Sequence, residues 1–430
     1  MTRLVLRGAR WPGDVAIEDG LITAVGDVPA REGDEVLDCT GDVLTPGLVN
    51  THHHLYQWLT RGWAVDETLF GWLRTLYPVW ARITPEDVGA AAALGLAELA
   101  LTGCTTAADH HYVVPHGDDS VFDAIADAGR RLGLRVHVAR GSMDLGESDG
   151  GLPPDSVVED LDAILASTQA VHDRLHDGDR VVVTVAPCSP FSVTTDLMRE
   201  SAALARSLGL RLHTHLAETL DEERDCLARF GKRPVELLEE LGWVDDDVWF
   251  AHGIHFSDDE VARLGAARAG VAHCPSSNAR LGAGMARSAD LRAAGVHVGL
   301  GVDGVASNEI GGLGVEMRTA VQVARLRATD PTALSLRDAL DMATRGGAAC
   351  LGRTDVGALE PGLKADVVVW PGDHVADVRD PLAGLVLGPE PRARHVLVGG
   401  EAVVTDGHLV HADLDALRAD VARRARRLWS

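Results

Sequence analysis

The sequence predicts an α/β protein: a (β/α)8 TIM-type barrel joined to a small β-sandwich built from both chain ends. Three observations carry this reading. Between residues 46 and 356, short β-branched runs alternate with Ala/Leu/Glu/Arg stretches of helical period. Most of those runs finish on polar, ligand-type residues: HHH, DHHY, CSP, HTHLAE, AHGIH, HCPSSN and GVDG. The two chain ends have the closely punctuated texture of short strands, and neither has enough of them to bury a face alone. An open doubly wound sheet is the competing pattern. No GxGxxG opens a helix after the first strand, so a dinucleotide site is not supported.

The elements follow in order. LVLRGARW, DVAIEDGLITAVG and EVLDCTG read as strands of the first end, and ADVVVW and HVLVGGEAVVTDGHLV as strands of the last. Residues 1–45 and 357–412 are therefore assigned to one composite sandwich, and residues 46–356 to the barrel. Barrel strands are expected at 44–54, 105–112, 135–141, 181–190, 211–218, 248–255, 270–278 and 296–304. PEDVGAAAALGLAELALT and LDEERDCLARF are among the helices between them, and residues 413–430 form a terminal amphipathic helix.

Composition narrows the function. The 430 residues (45.6 kDa) allow a barrel with a satellite, and 46% hydrophobic residues allow a large core. Forty basic against 64 acidic residues give a net charge of −24. Such a surface repels phosphate, which argues against nucleic acid and anionic membranes as partners. The six cysteines are scattered without a CxxC pair, and read as reduced thiols. With no signal-peptide pattern and no apolar run near the roughly 18 residues of a membrane span, a cytoplasmic protein is expected.

The chemistry sits at the strand ends, which in such a barrel form the active-site mouth. His52 and His54 lie two apart on a strand and share a face, so both can reach one divalent ion. His215, from another strand, supplies a third imidazole. His213 shares that face but lies deeper, and is read as a packed, hydrogen-bonded histidine. Glu218, three residues past His215, can reach a substrate as a proton carrier. Asp303 stands at the end of the last strand as a fourth ligand, a base, or both. His252 ends the sixth strand, placed to bond a nucleophile. Nitrogen and oxygen ligands with one open position suit one catalytic Zn²⁺, with Fe²⁺ or Mn²⁺ as alternatives. Its part would be to lower the pKa of water from 15.7 toward about 7. Only Lys232 and Lys364 are lysines, and neither ends a strand, so no carboxylated lysine bridges a metal pair and a mononuclear site is expected.

These residues carry a resemblance. PGLVNTHHH, HLAE, AHG, GVDGVASN and the late GLKADVVVW resemble the amidohydrolase superfamily, in its mononuclear cytosine/guanine deaminase-like branch. HHHLYQWLTRG, TGCTTAADHHYVVP, PCSPFSV and HCPSSNARLGAGMA are similar to 8-oxoguanine deaminases and the neighbouring hydroxyatrazine-type aminohydrolases. The resemblance spans the chain from about Leu4 to the final β segment. It implies hydrolytic removal of an exocyclic amino group from a purine- or pterin-like ring, 8-oxoguanine to urate first. Isoxanthopterin, isoguanine, guanine and triazines are the alternatives, and a metal-free scaffold is the competing class. It implies metal ligands at His52, His54, His215 and Asp303, a proton shuttle at Glu218, a nucleophile stabiliser at His252, and ring contact by Gln57. Tyr112 and Phe191, at strand ends, are further candidates to touch the ring. The Gly/Ser/Asp-rich segment 141–154 reads as a loop over the mouth. The aromatics Tyr56, Trp58, Trp63, Phe70 and Trp72 stack on a ring, pack on the barrel or meet another subunit. A small heterocycle and further copies of the chain are the expected partners.

Overall fold

The computed structural model describes residues 3–429. Eight parallel strands close into a barrel in chain order: Leu48–His53, Cys104–His111, Arg135–Ser142, Val181–Pro187, Leu212–Leu216, Val248–His252, Gly270–His273 and His297–Leu300. The ring closes where Leu300 pairs with Asn50. The strands are buried almost throughout, which is why they read as apolar runs rather than alternating ones.

Several expected strands end early: 181–190 stops at Pro187, 211–218 at Leu216 and 248–255 at His252, while 270–278 stops at His273 and Pro275–Arg280 is a helix. Two others differ further. Residues 44–54 are two strands rather than one. Val43–Pro46 pairs antiparallel with Val367–Trp370, and only Leu48–His53 enters the barrel. Gly47 separates them, packed so tightly on Thr105 that a Cβ would overlap its side chain. The last strand stops at Leu300 and does not carry Asp303. The chain beyond it still follows the first strand: Val302 N–H bonds the Asn50 Oδ1 (3.0 Å) and Asp303 N–H bonds the His52 carbonyl (3.0 Å).

Outer helices fix the frame. Thr84 and Asp87 form a reciprocal capping box at the start of the helix Pro85–Leu101, with Pro85 at its first position. The buried Asp87 also pairs with Arg424 and Arg427 of the last helix, Leu414–Leu428, and so docks it on the barrel.

Two further sheets are built from the chain ends. One has four strands, ordered Leu21–Gly26, Asp14–Glu18, Leu4–Arg7, Glu35–Asp38. The other has five, ordered His408–Leu409, Glu401–Thr405, His395–Val398, Val367–Trp370, Val43–Pro46. Leu6, Val15, Ile17 and Ile22 of the first share one core with Leu44, Val367, Val369 and Leu397 of the second. Neither sheet buries its apolar face without the other. Among the described residues, no helix is long and apolar enough to cross a membrane.

Candidate active site

The imidazoles converge inside the barrel mouth. His52, His54, His110, His213, His215 and His252 are all buried there. A cavity lies over them, and its wall includes His54, Tyr112, Phe191, His215, Glu218, His252 and Asp303.

Neighbouring strands decide where the ring protons sit. His213 stacks on Trp249 (centroids 4.4 Å apart, 18° between planes) and donates from Nδ1 to the Trp249 carbonyl at 2.8 Å. A neutral imidazole carries one proton, so the His213 Nε2 is an acceptor. The His52 Nδ1, 2.8 Å from it, must then be the donor. His54 Nδ1 donates to the His110 carbonyl (2.6 Å) and His215 Nδ1 to the Cys188 carbonyl (2.7 Å). The Nε2 atoms of His52, His54 and His215 are thereby left without hydrogen. Burial holds the pKa of all three below the ordinary histidine value, so they stay neutral.

Those bare nitrogens face one another and a carboxylate. His54 Nε2 and His215 Nε2 lie 3.2 Å apart. Asp303 Oδ1 is 3.3 Å from His54 Nε2 and 3.5 Å from His52 Nε2. The His52 Nε2 has no hydrogen-bond partner among the described residues. Lone pairs brought this close, with no proton between them, repel unless a cation joins them. The donor set therefore fits a divalent ion that takes nitrogen and oxygen ligands.

Asp303 is aimed by its own surroundings. Its backbone is left-handed (φ 59°), and its Oδ2 accepts from the Ser277 hydroxyl at 2.6 Å. Gly304 N–H holds Oδ1 at 2.8 Å. Burial works against its ionisation, while the Ser277 hydroxyl and the Gly304 N–H that donate to its two oxygens favour the charged form.

Glu218 and His252 form the other half of the site. The Glu218 Oε2 is 3.6 Å from His252 Nε2, and His252 Nδ1 bonds the Asn278 Oδ1 at 3.0 Å. Burial pushes the Glu218 carboxyl up to about 7. Burial would lower His252, but the charges of Glu218 and Asp303 and the Asn278 bond outweigh it and raise its pKa. A carboxyl near 7 can both take and give a proton at neutral pH. Left-handed backbone recurs at His252 (φ 75°) and at Ala217 (φ 52°), beside Glu218. Such non-glycine conformations cost roughly 1–3 kcal/mol each and gather at functional sites.

Tyr112 and Phe191 lie on the cavity wall, as do Trp72 and Tyr77 from the helix Leu69–Trp80. Gln57 does not line the cavity. It is fully buried in the turn Leu55–Thr60, where a Cβ on Gly304 would overlap its carboxamide. That carboxamide lies beside the Tyr56 hydroxyl without reaching hydrogen-bonding geometry. Of the other aromatics, Tyr56 packs edge-on against Trp80, and Phe70 packs edge-on against Phe191. Segment 141–154 begins within the third strand. It then folds on itself, with Asp144 accepting from Thr194 N–H (2.7 Å) and Gly151 N–H bonding the Gly146 carbonyl (2.8 Å).

Sequence reasoning missed several residues. His110 stacks on His215 (4.7 Å, 28°), donates from Nε2 to the Ala186 carbonyl (2.8 Å), and belongs to a four-imidazole group with His52 and His54. Its signal was the DHHY strand end, where Asp109 also accepts from Leu55 N–H at 2.7 Å and fixes the turn after His54. Asn278 and Ser277 lie in HCPSSN, whose polarity gave no hint of which atom each would hold.

The sequence pattern of the amidohydrolase family matches residues 43–403. The chain is 49% identical to an 8-oxoguanine deaminase of Pseudomonas aeruginosa, over 95% of this chain and 93% of that protein. It is 36% identical to an isoxanthopterin deaminase from an unidentified prokaryote, over 98% of this chain and 93% of that protein. Its structure resembles that of the zinc-complexed atrazine chlorohydrolase TrzN from Arthrobacter aurescens TC1, with a TM-score of 0.93, 33% identity, and coverage of 98% of this chain and 100% of that one. With more than half of its length matched by the family pattern and by these relatives, the chain belongs to the amidohydrolase family.

Proposed function

We propose that the protein is a metal-dependent aminohydrolase that converts 8-oxoguanine and water to urate and ammonia. The observation that carries the reading is the convergence of three hydrogen-free Nε2 atoms and Asp303 Oδ1 beside a carboxyl group of pKa about 7, at a cavity in the barrel mouth. The 49% identity to an 8-oxoguanine deaminase supports the choice of ring.

His52, His54, His215 and Asp303 are the residues that would hold one divalent ion, zinc by preference, with Fe²⁺ or Mn²⁺ compatible with the same donors. When bound, such an ion supplies Lewis acidity, which brings a water molecule's pKa toward about 7 and provides a nucleophile at neutral pH. The protein's own groups do the rest. Glu218 takes the proton released as water is activated and delivers it to the ring nitrogen as the amino-bearing carbon becomes tetrahedral. His252, its Nδ1 tied to Asn278, directs Nε2 at the oxygen that adds and stabilises the charge there. Asp303 takes the second proton and passes it to the departing amine, which leaves as ammonia while the carbonyl forms. Proton transfers of this kind contribute about 10²–10⁴-fold. Tyr112 and Phe191 bracket the ring. Gln57, whose carboxamide nitrogen and oxygen have no hydrogen-bond partner among the described residues, is the proposed contact to the ring's edge.

A pterin such as isoxanthopterin, as well as isoguanine, guanine or a triazine, would use the same machinery, and the likeness to an isoxanthopterin deaminase favours testing pterins next. An ammonia-release screen over purines, pterins and triazines tests the proposal. Turnover of 8-oxoguanine above every other ring is expected. No release from any ring by metal-loaded protein would overturn it.

A further inference from the structure

We infer that Glu222 is a positioning residue: its carboxylate clamps the strained turn that points Glu218 into the cavity. The inference rests on the role given to Glu218 above.

Glu222 lies in the first turn of the helix Leu220–Phe230 and is buried. Its Oε1 accepts from Ala217 N–H at 2.8 Å and its Oε2 from Glu218 N–H at 3.0 Å. One carboxylate thus satisfies two successive amides immediately past the fifth strand. The peptide is held from its other side as well. The Ala217 carbonyl accepts from Ile254 N–H and His255 N–H, each at 3.0 Å. Between these grips Ala217 keeps φ at 52°, a conformation an alanine does not hold unaided. The turn sets the direction of the next side chain, Glu218, whose carboxyl ends 3.6 Å from His252.

The helix's own needs do not account for Glu222. Its amide is capped by the Thr219 hydroxyl at 3.3 Å, as in an ordinary helix start. A helix-start glutamate that served only the helix would turn toward solvent or back to its own cap. This one is desolvated and spends both oxygens on the strand end. Burying a carboxylate is costly, and persists where its hydrogen bonds fix something that function needs. The other site strands use related devices: Asp109 for the turn after His54, and Ser277 for Asp303.

The test is Glu222→Gln. A carboxamide keeps the shape but turns one acceptor into a donor that faces an N–H, so the clamp opens on one side. On 8-oxoguanine, kcat is expected to fall about 100-fold, the loss that a misplacement near 1 Å produces, with KM unchanged within about twofold. Metal content should stay at the wild-type level. Hydrogen exchange at Ala217 and Glu218 should run roughly tenfold faster than in wild type. A folded, metal-loaded variant with wild-type kcat, or with unchanged exchange at both amides, would overturn the inference, as would a rise in KM alone. Should Glu222→Gln not fold, Glu222→Asp is read in the same way. It keeps the charge but is too short to reach both amides, and wild-type kcat and exchange in it would overturn the clamp. If wild-type protein releases ammonia from no ring, the functional reading fails, while the exchange measurement still decides whether Glu222 holds the turn.

Discussion

Replacing His213 with Phe tests the proton assignment that leaves the three Nε2 atoms bare. The variant keeps an aromatic ring stacked on Trp249 at the 4.4 Å spacing, so packing changes little. It removes both nitrogens, and with them the acceptor 2.8 Å from His52 Nδ1. That buried N–H then has no partner, at a cost of about 1–3 kcal/mol. His52 escapes the cost by moving its proton to Nε2, 3.5 Å from Asp303 Oδ1, and in that tautomer it has no lone pair for a metal. Metal binding must then return that proton to the unpartnered Nδ1 and meet the cost, and at 1.4 kcal/mol per tenfold the loss of affinity reaches about 5- to 150-fold, close to the 10–100-fold typical of partners behind a metal ligand. Competition with a chelator of known zinc affinity measures it, with circular dichroism showing that the variant is folded. A folded His213→Phe that binds zinc as tightly as wild type would refute the tautomer chain.

Glu218→Gln should keep the metal and bind the ring yet lose about 10²–10⁴-fold in kcat for ammonia release, and wild-type turnover would exclude its proton role. Asn278→Leu frees His252 Nδ1, and a drop of about tenfold or more in kcat with little change in metal content is expected. Glu316, which burial pushes up to about 8, binds its proton more tightly folded than unfolded. Its contribution is thus full below about 4.5 and lost as pH rises through about 8. Thermal melts from pH 5 to 9 should show wild type losing stability with pH and Glu316→Gln following a flatter line; parallel lines would exclude the effect.

Much of this site is legible in the sequence because strand geometry is periodic. His52 and His54 share a face for the same reason that His213 and His215 do, and apolar runs that end in His or Asp mark the barrel mouth. What could not be read depends on register between strands. The carbonyls of His110, Cys188 and Trp249 choose the tautomers of His54, His215 and His213; His110 and Trp249 belong to neighbouring strands, and Cys188 lies one residue past the end of another. Asp303 looked like a strand end, but it is held beside the first strand by backbone bonds beyond Leu300. Gln57 looked like a wall residue, but the missing side chain of Gly304 lets it pack behind the wall. At Glu222 the local signal was an ordinary helix start, and only the tertiary turn at Ala217 shows what its carboxylate holds.

Anomalous diffraction from crystals of protein purified without chelator, collected on both sides of the zinc edge, tests the central claim most directly. The account predicts one peak per chain, about 2.0–2.2 Å from the Nε2 atoms of His52, His54 and His215, with Asp303 Oδ1 completing the set. A map with no peak there after zinc supplementation, or with the ion on other residues, would contradict it.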